Sequence, residues 1–307
     1  MALPLAAGAD AFAATFGMLG LGALLRRTLL PDDAVWAGLE KLVFFVLLPA
    51  LLIGAIGTLD LATLPLGGMA AVIWGTLALG TVGSVTLARA LGHGHAAMTS
   101  VLQGGIRYNN LLAFAFVGAV LGPPGIAMGG IATGLIVPFV QVVVTVALTL
   151  GRATKPHPLR LLRQIALNPL LLACLTGFAL ALAGGVPPGV SGLLRGLSQA
   201  SLATGLLCVG AALTPGALAD RLPTQALTAG FKLLLMPAIA MGLAVLTGLE
   251  PLAAATAILF MAQPTASTAY VQARAMGGDA PLMAAMITGQ HVLALATLPL
   301  WALLLAG

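Results

Sequence analysis

From Tyr108 to Gly151 the chain carries no Asp, Glu, Lys or Arg, and the same holds from Gln164 to Leu194 and from Ala280 to Gly307. Each stretch exceeds the roughly 20 apolar residues that a helix needs to cross a bilayer. A soluble domain is ordinarily about 25% charged, whereas these 307 residues are 60% hydrophobic and 7% charged. Water is not the solvent for such a chain. Its length accommodates roughly ten membrane helices and leaves no room for a soluble domain.

The formal net charge of +5 does not point to nucleic acid, because the basic residues are spread thinly between hydrophobic spans with no basic and aromatic stripe. Cys174 and Cys208 both fall inside apolar spans and form no CxxC pattern. His93, His95 and His157 sit in expected inner loops without metal-ligand spacing, so neither a metal nor another cofactor is expected. No HExxH, GxSxG or intramembrane aspartate pair speaks for an enzyme. The segment before Arg26 has no Lys or Arg and includes Asp10, unlike a cleavable signal peptide, so the first span is expected to remain in place.

Apolar runs between turn residues place ten spans at 10–27, 38–57, 65–90, 96–121, 124–150, 165–184, 190–214, 223–247, 252–275 and 281–305. With the N-terminus outside, Arg26, Arg27, Arg89, Arg152, Lys155, Arg160, Arg163, Arg221 and Arg274 fall in or beside inner loops. The outer connections carry Asp60 and Glu250. Positive charge inside therefore predicts a multi-pass protein of the cell's inner membrane with both termini extracytoplasmic. The charged connection 151–164 (GRATKPHPLRLLRQ) is read as a cytoplasmic linker between two five-helix repeats, 1–150 and 165–307. An odd number of spans per half makes the halves opposite in orientation, as in inverted-repeat transporters with midplane sites at discontinuous helices.

Spans four and nine carry matching defects. Span four reads GGIRYNNLLAFAF, with Arg107, Tyr108, Asn109 and Asn110 in its middle; span nine reads FMAQPTASTAYVQA, with Gln263, Pro264, Thr265 and Ser267 in its middle. Each defect lies about 13 residues from its span's start, about 20 Å along a helix and close to mid-bilayer. Pro264 has no amide hydrogen and its ring clashes with the carbonyl four residues back. Asn109 and Asn110 are poor helix formers whose amides bond free backbone groups or a ligand. Each break also makes a half-helix N-terminus, whose unpaired amides suit a carboxylate. These eight residues are the expected substrate site, with Arg107 as countercharge for a small anionic solute.

Support or coupling roles are assigned to Lys232 in span eight, His291 in span ten and Gln103 in span four. For Lys232, supporting a half-helix carbonyl end and contacting substrate are both open. For His291, proton relay stands beside neutral packing. Arg195 is read as snorkelling to the outer surface, and Glu40 with Lys41 as an interfacial pair.

With these motifs in view, the chain resembles the auxin efflux carrier family, which includes plant PIN proteins and bacterial malonate-transporter-like proteins. The resemblance runs over LVFFVLLPALL in span two, IRYNNLL in span four, GPPGIAM followed by IVPFVQVV, Asn168-Pro169, and AQPTASTAYVQARAMGGD in span nine, the most specific. It implies an all-α, ten-helix inverted-repeat fold related to bile-acid sodium symporters, with scaffold and transport parts and an elevator-like movement. It also implies a crossover carried by Asn109 with Asn110 and by Pro264. Tyr108 stands where the plant members have a proline, Gln141 where many bacterial relatives have asparagine, and the plant hydrophilic loop is reduced to a short linker. IRYNNLL resembles the bacterial branch, and the departures from the plant members favour a small carboxylate over auxin.

The expected function is thus secondary transport of small organic anions, with efflux as one direction. A sodium-coupled symporter of the related fold and a channel or sensor are the alternatives. The lipid bilayer and a small anionic solute are the expected partners; the reading admits a homodimer and excludes nucleic acid.

Overall fold

The computed structural model describes residues 5–59, 65–150, 159, 162–163, 166–219 and 221–306, with no side-chain detail for 5–12 or Pro215. The expected linker charges Arg152, Lys155 and Arg160, with Asp60 and His157, lie outside the described residues. Among the described residues there is no strand. The helices are α1 (Leu5–Arg27), α2 (Asp33–Ile56), α3 (Leu66–Ala90), α4 (His95–Ile106), α5 (Asn110–Leu150), α6 (Pro169–Leu182), α7 (Val190–Ala211), α8 (Leu222–Thr247), α9 (Pro251–Met261), α10 (Thr268–Met276) and α11 (Ala280–Ala306). Among the described residues, six helical stretches are long and apolar enough to cross a membrane: α2, α3, His95–Leu150, α7, α8 and α11. Leucines such as Leu182, Leu246 and Leu303 stand exposed on the outer faces. In water such patches would drive association; in lipid they are solvated.

Sequence chemistry sets the helix ends. Asp32 caps α2 by accepting the Ala34 amide at 2.8 Å. Asn168 caps α6 at 2.9 Å from Leu170 N, with Pro169 in the first position, where its missing amide costs nothing. Glu250 caps α9 through both carboxylate oxygens, ahead of Pro251. Gly122, at φ 68°, turns the backbone inside α5 just before Pro123 and Pro124, at the expected boundary of spans four and five. A positive φ there is cheap only for glycine.

Two helices absorb an internal proline with a π-turn. Val43–Leu47 precedes Pro49 in α2, and Phe231–Leu235 precedes Pro237 in α8. A proline cannot donate to the carbonyl four residues back. For Pro237 that carbonyl belongs to Leu233, and it accepts the Trp301 indole N–H at 2.8 Å instead.

The helices pack as two groups. In one, α1, α2, α6 and α7 lie together; in the other, α3, α4, α8, α9, α10 and α11 do, while α5 touches both. Helices α1 and α7 meet where a methyl on Gly22 would overlap the Leu207 carbonyl and one on Gly210 the Leu19 carbonyl. Small residues allow this backbone approach, the usual device for joining helices where lipid removes the hydrophobic drive.

Candidate functional site

The two helical runs of the second group are interrupted in their middles. Residues 107–109 separate α4 from α5, and residues 262–267 separate α9 from α10. The unwound segments meet backbone to backbone: Asn109 N donates to Pro264 O at 2.8 Å. Each stranded helix end finds partners. At the end of α4, the Gly104 carbonyl accepts the Thr265 hydroxyl and the Gln290 side-chain amide, both at 2.9 Å. Gln290 also accepts the Thr265 amide at 2.8 Å, so one side chain of α11 holds both breaks.

Asn109 is buried and fully engaged. Its Oδ1 accepts the amides of Leu111 (3.1 Å) and Leu112 (3.2 Å), capping α5, while Nδ2 donates to His291 Nε2 at 3.0 Å. His291 Nδ1 donates to the Ile287 carbonyl at 2.8 Å, which fixes the tautomer that leaves Nε2 free to accept. This alters one expectation. The amides at the start of α5 are not bare toward a ligand, because Asn109 covers two of them. At the start of α10, Ser267 makes no such side-chain cap, but the Ala269 and Tyr270 amides donate to the Ala266 and Ser267 carbonyls, both at 3.0 Å.

A cavity of about 640 Å³ opens beside the crossing, between the two helix groups. That volume is in the range of small-molecule sites. Of the expected site residues, Arg107, Tyr108, Asn109, Asn110 and Ser267 line it. Gln263, Pro264 and Thr265 do not. Pro264 and Thr265 bond the crossing itself, and Gln263 donates back to Leu259 O in its own helix at 2.9 Å. Gln103 and Lys232 are buried away from the cavity, and His291 stands behind Asn109.

Arg107 is half-buried on extended backbone, and its guanidinium reaches the Thr268 hydroxyl at 3.5 Å. Among the described residues no carboxylate pairs with it. Asn110 Oδ1 accepts the Thr133 hydroxyl at 3.3 Å. The Tyr108 and Phe114 rings pack on Phe260, with centroids 5.7 and 5.5 Å away. The opposite wall is apolar, with Phe44, Phe45 and Leu48 of α2 and Val137 and Val140 of α5, broken by Glu40, Lys41 and Gln141. Asn168, Thr268 and Gln272 also line the cavity; the sequence reading did not place them in the site. Gln272 stands one helical turn after Thr268, a spacing that marks it once α10 is known to start at the break.

The remaining charged network lies away from the cavity. Arg221 pairs with Asp279 at 2.7 Å, and Asp279 caps α11 through the Leu282 amide at 3.1 Å. A family model described as membrane transport protein matches residues 153–302. Over these residues, just under half of the chain, the sequence is similar to the membrane transport family of the auxin efflux carriers. The family match includes the Pro264 break and Gln290, while Arg107 to Asn110 lie before it. No curated protein matches the sequence.

Proposed function

We propose that the chain is a secondary carrier of small organic anions in the inner membrane, of the bacterial branch of its family. The observation that carries this is Arg107, a half-buried cation without a carboxylate partner among the described residues, on the wall of a cavity between two helix groups. An unpaired charge inside a membrane protein is costly and is kept where a ligand supplies the countercharge. Ser267 and Thr268 on the cavity wall add hydroxyls at the start of α10, the positive end of a helix dipole.

The architecture we infer is ten spans in two inverted five-helix repeats, with both termini extracytoplasmic. Two features support it. The breaks at 107–109 and 262–267 fall in the fourth and ninth expected spans. Trp74 of α3 donates to Leu135 O of α5 at 3.0 Å, and Trp301 of α11 donates to Leu233 O of α8, so the third and fifth spans of each half are tied by an indole. Elevator-like alternating access would move the group containing the breaks against the group of α1, α2, α6 and α7.

The test is a thermal-shift screen of the purified protein against malonate, succinate and a series of monocarboxylates. A carboxylate at a hundred times its Kd stabilises the fold by about 2.7 kcal/mol. Stabilisation by at least one of them, absent in Arg107→Ala, is expected. Equal responses of both proteins would contradict the reading.

A further inference from the structure

Lys232 is one of the largest fully buried side chains, at 0% exposure, and it lies outside the cavity. Among the described residues nothing accepts a hydrogen bond from its Nζ, and no water-sized space adjoins that atom. Its surroundings follow from its neighbours on α8. One turn before it, the Thr228 methyl would lie 3.1 Å from a Cβ on Gly104; one turn after it, Met236 Sδ would lie 2.5 Å from a Cβ on Gly80, itself beside Ile106. These contacts lay α8, on which Lys232 sits, along α3 and the last turn of α4, the carbonyl end of a broken helix.

At the last turn of α4, three other polar side chains are buried without partners among the described residues: the Gln103 amide, the Thr228 hydroxyl, on a side chain against Gly104, and the Ser84 hydroxyl against Gly105. Buried polar atoms are nearly always paired, so a cluster of unpaired ones calls for a ligand or a second arrangement. Among the described residues, the helices packed on α8 carry no carboxylate within their lengths; Asp279, which caps α11, pairs with Arg221 at the start of α8, about three turns before Lys232. The other titratable and charged groups are Arg89 on α3, His93 bonded to Thr224 of α8 at 2.9 Å, His95 at the exposed start of α4 and His291 on α11, both of whose ring nitrogens are engaged; α9 has none.

We propose that Lys232 is a proton-binding site behind the helix crossing. An ammonium without partners in a dry interior is costly by several kcal/mol, whereas an amine is tolerated. A sodium ion, an anion or a water needs room that Nζ lacks; a proton needs none. Gln103 Oε1 and the hydroxyls of Ser84 and Thr228 are three acceptors ready to solvate the ammonium after a small movement of α8 against α4. The π-turn at Phe231–Leu235 gives α8 a local irregularity at that point. The proton comes from bulk water and returns to it, adding to and leaving the nitrogen lone pair. Resting on the carrier reading, the site would supply the coupling ion.

The chain has three lysines, Lys41, Lys155 and Lys232, which makes a direct measurement available. Lys41→Arg with Lys155→Arg leaves Lys232 as the sole lysine. Its Nζ, labelled with nitrogen-15, is followed by NMR in detergent from about pH 5 to about pH 10, the span between ordinary histidine and lysine titrations. A single resonance that moves between the amine and ammonium positions within that range is expected. A resonance fixed at either position throughout would overturn the proposal. In the wild-type chain the moving signal should be the one that Lys232→Met removes. No solute is present, so absence of titration leaves the carrier reading standing, and failure of solute exchange leaves the proton site standing.

Discussion

The Asn109 amide and the Pro264 carbonyl meet at 2.8 Å, so the break in one helical run is completed by the break in the other. Pro264 contributes through what it accepts as well as through the donor it lacks. Each unwound segment would expose backbone groups to a medium that cannot hydrogen-bond them; crossing them lets each supply part of the other's needs. The sharing also makes the two segments one mechanical unit, clamped from behind by Gln290.

Replacing Pro264 by Ala restores an amide donor and removes the ring clash, so the run through α9 and α10 is free to straighten. Solute exchange by the reconstituted protein should slow by more than about tenfold, since one such hydrogen bond and its geometry amount to about 1.4 kcal/mol or more. Wild-type rates in a correctly folded variant would mean that the break is only structural.

Arg107→Ala removes the one cation facing the cavity from the crossing. A charge-assisted hydrogen bond is worth about 1.5–3 kcal/mol, so the Kd of a bound carboxylate should rise about ten- to a hundredfold, with the melting temperature little changed. Titration calorimetry with the best carboxylate from the screen gives the number, and unchanged affinity would remove Arg107 from the site.

Asn109→Asp and Asn109→Ala separate two roles. The aspartate retains an oxygen to cap α5 and loses the donor to His291; the alanine loses both. Alanine should cost about 2 kcal/mol, one part for the cap and one for the bond, and aspartate should lie between it and wild type in thermal melts. Equal melting of all three would contradict the contacts described.

Gly210→Ala places a methyl against the Leu19 carbonyl of α1. Backbone cannot yield as a side-chain tip does, so overpacking of about 1–3 kcal/mol is expected. Gly22→Ala strains the same helix pair, and the double variant should be less destabilised than the sum, because α1 and α7 need separate only once. Additive losses in detergent melts would argue that the two contacts are independent.

The membrane character and the two breaks were legible because they depend on local chemistry: uncharged runs, Pro264 inside an apolar span, and paired asparagines. Side-chain direction was not. Gln263 and Ser267 look alike in a polar run, yet Gln263 bonds its own helix and Ser267 faces the cavity, a difference decided by the path of residues 262–267 through space. Gln290, placed beside His291 in the last span, carried no local sign that it would reach both Gly104 and Thr265. The cap of Asn109 over α5 was likewise hidden, since it depends on where the helix resumes. Its consequence is that the anion preference rests on Arg107 and the hydroxyls of Ser267 and Thr268 rather than on bare amides at two half-helix ends.

The account is tested most directly by counterflow in proteoliposomes, using the radiolabelled carboxylate that stabilises the protein best. A carrier predicts transient accumulation of label against its own gradient when unlabelled carboxylate is trapped inside, lost in Arg107→Ala. Ohmic conductance of that anion with no counterflow would contradict it and mark the broken helices as the lining of a pore.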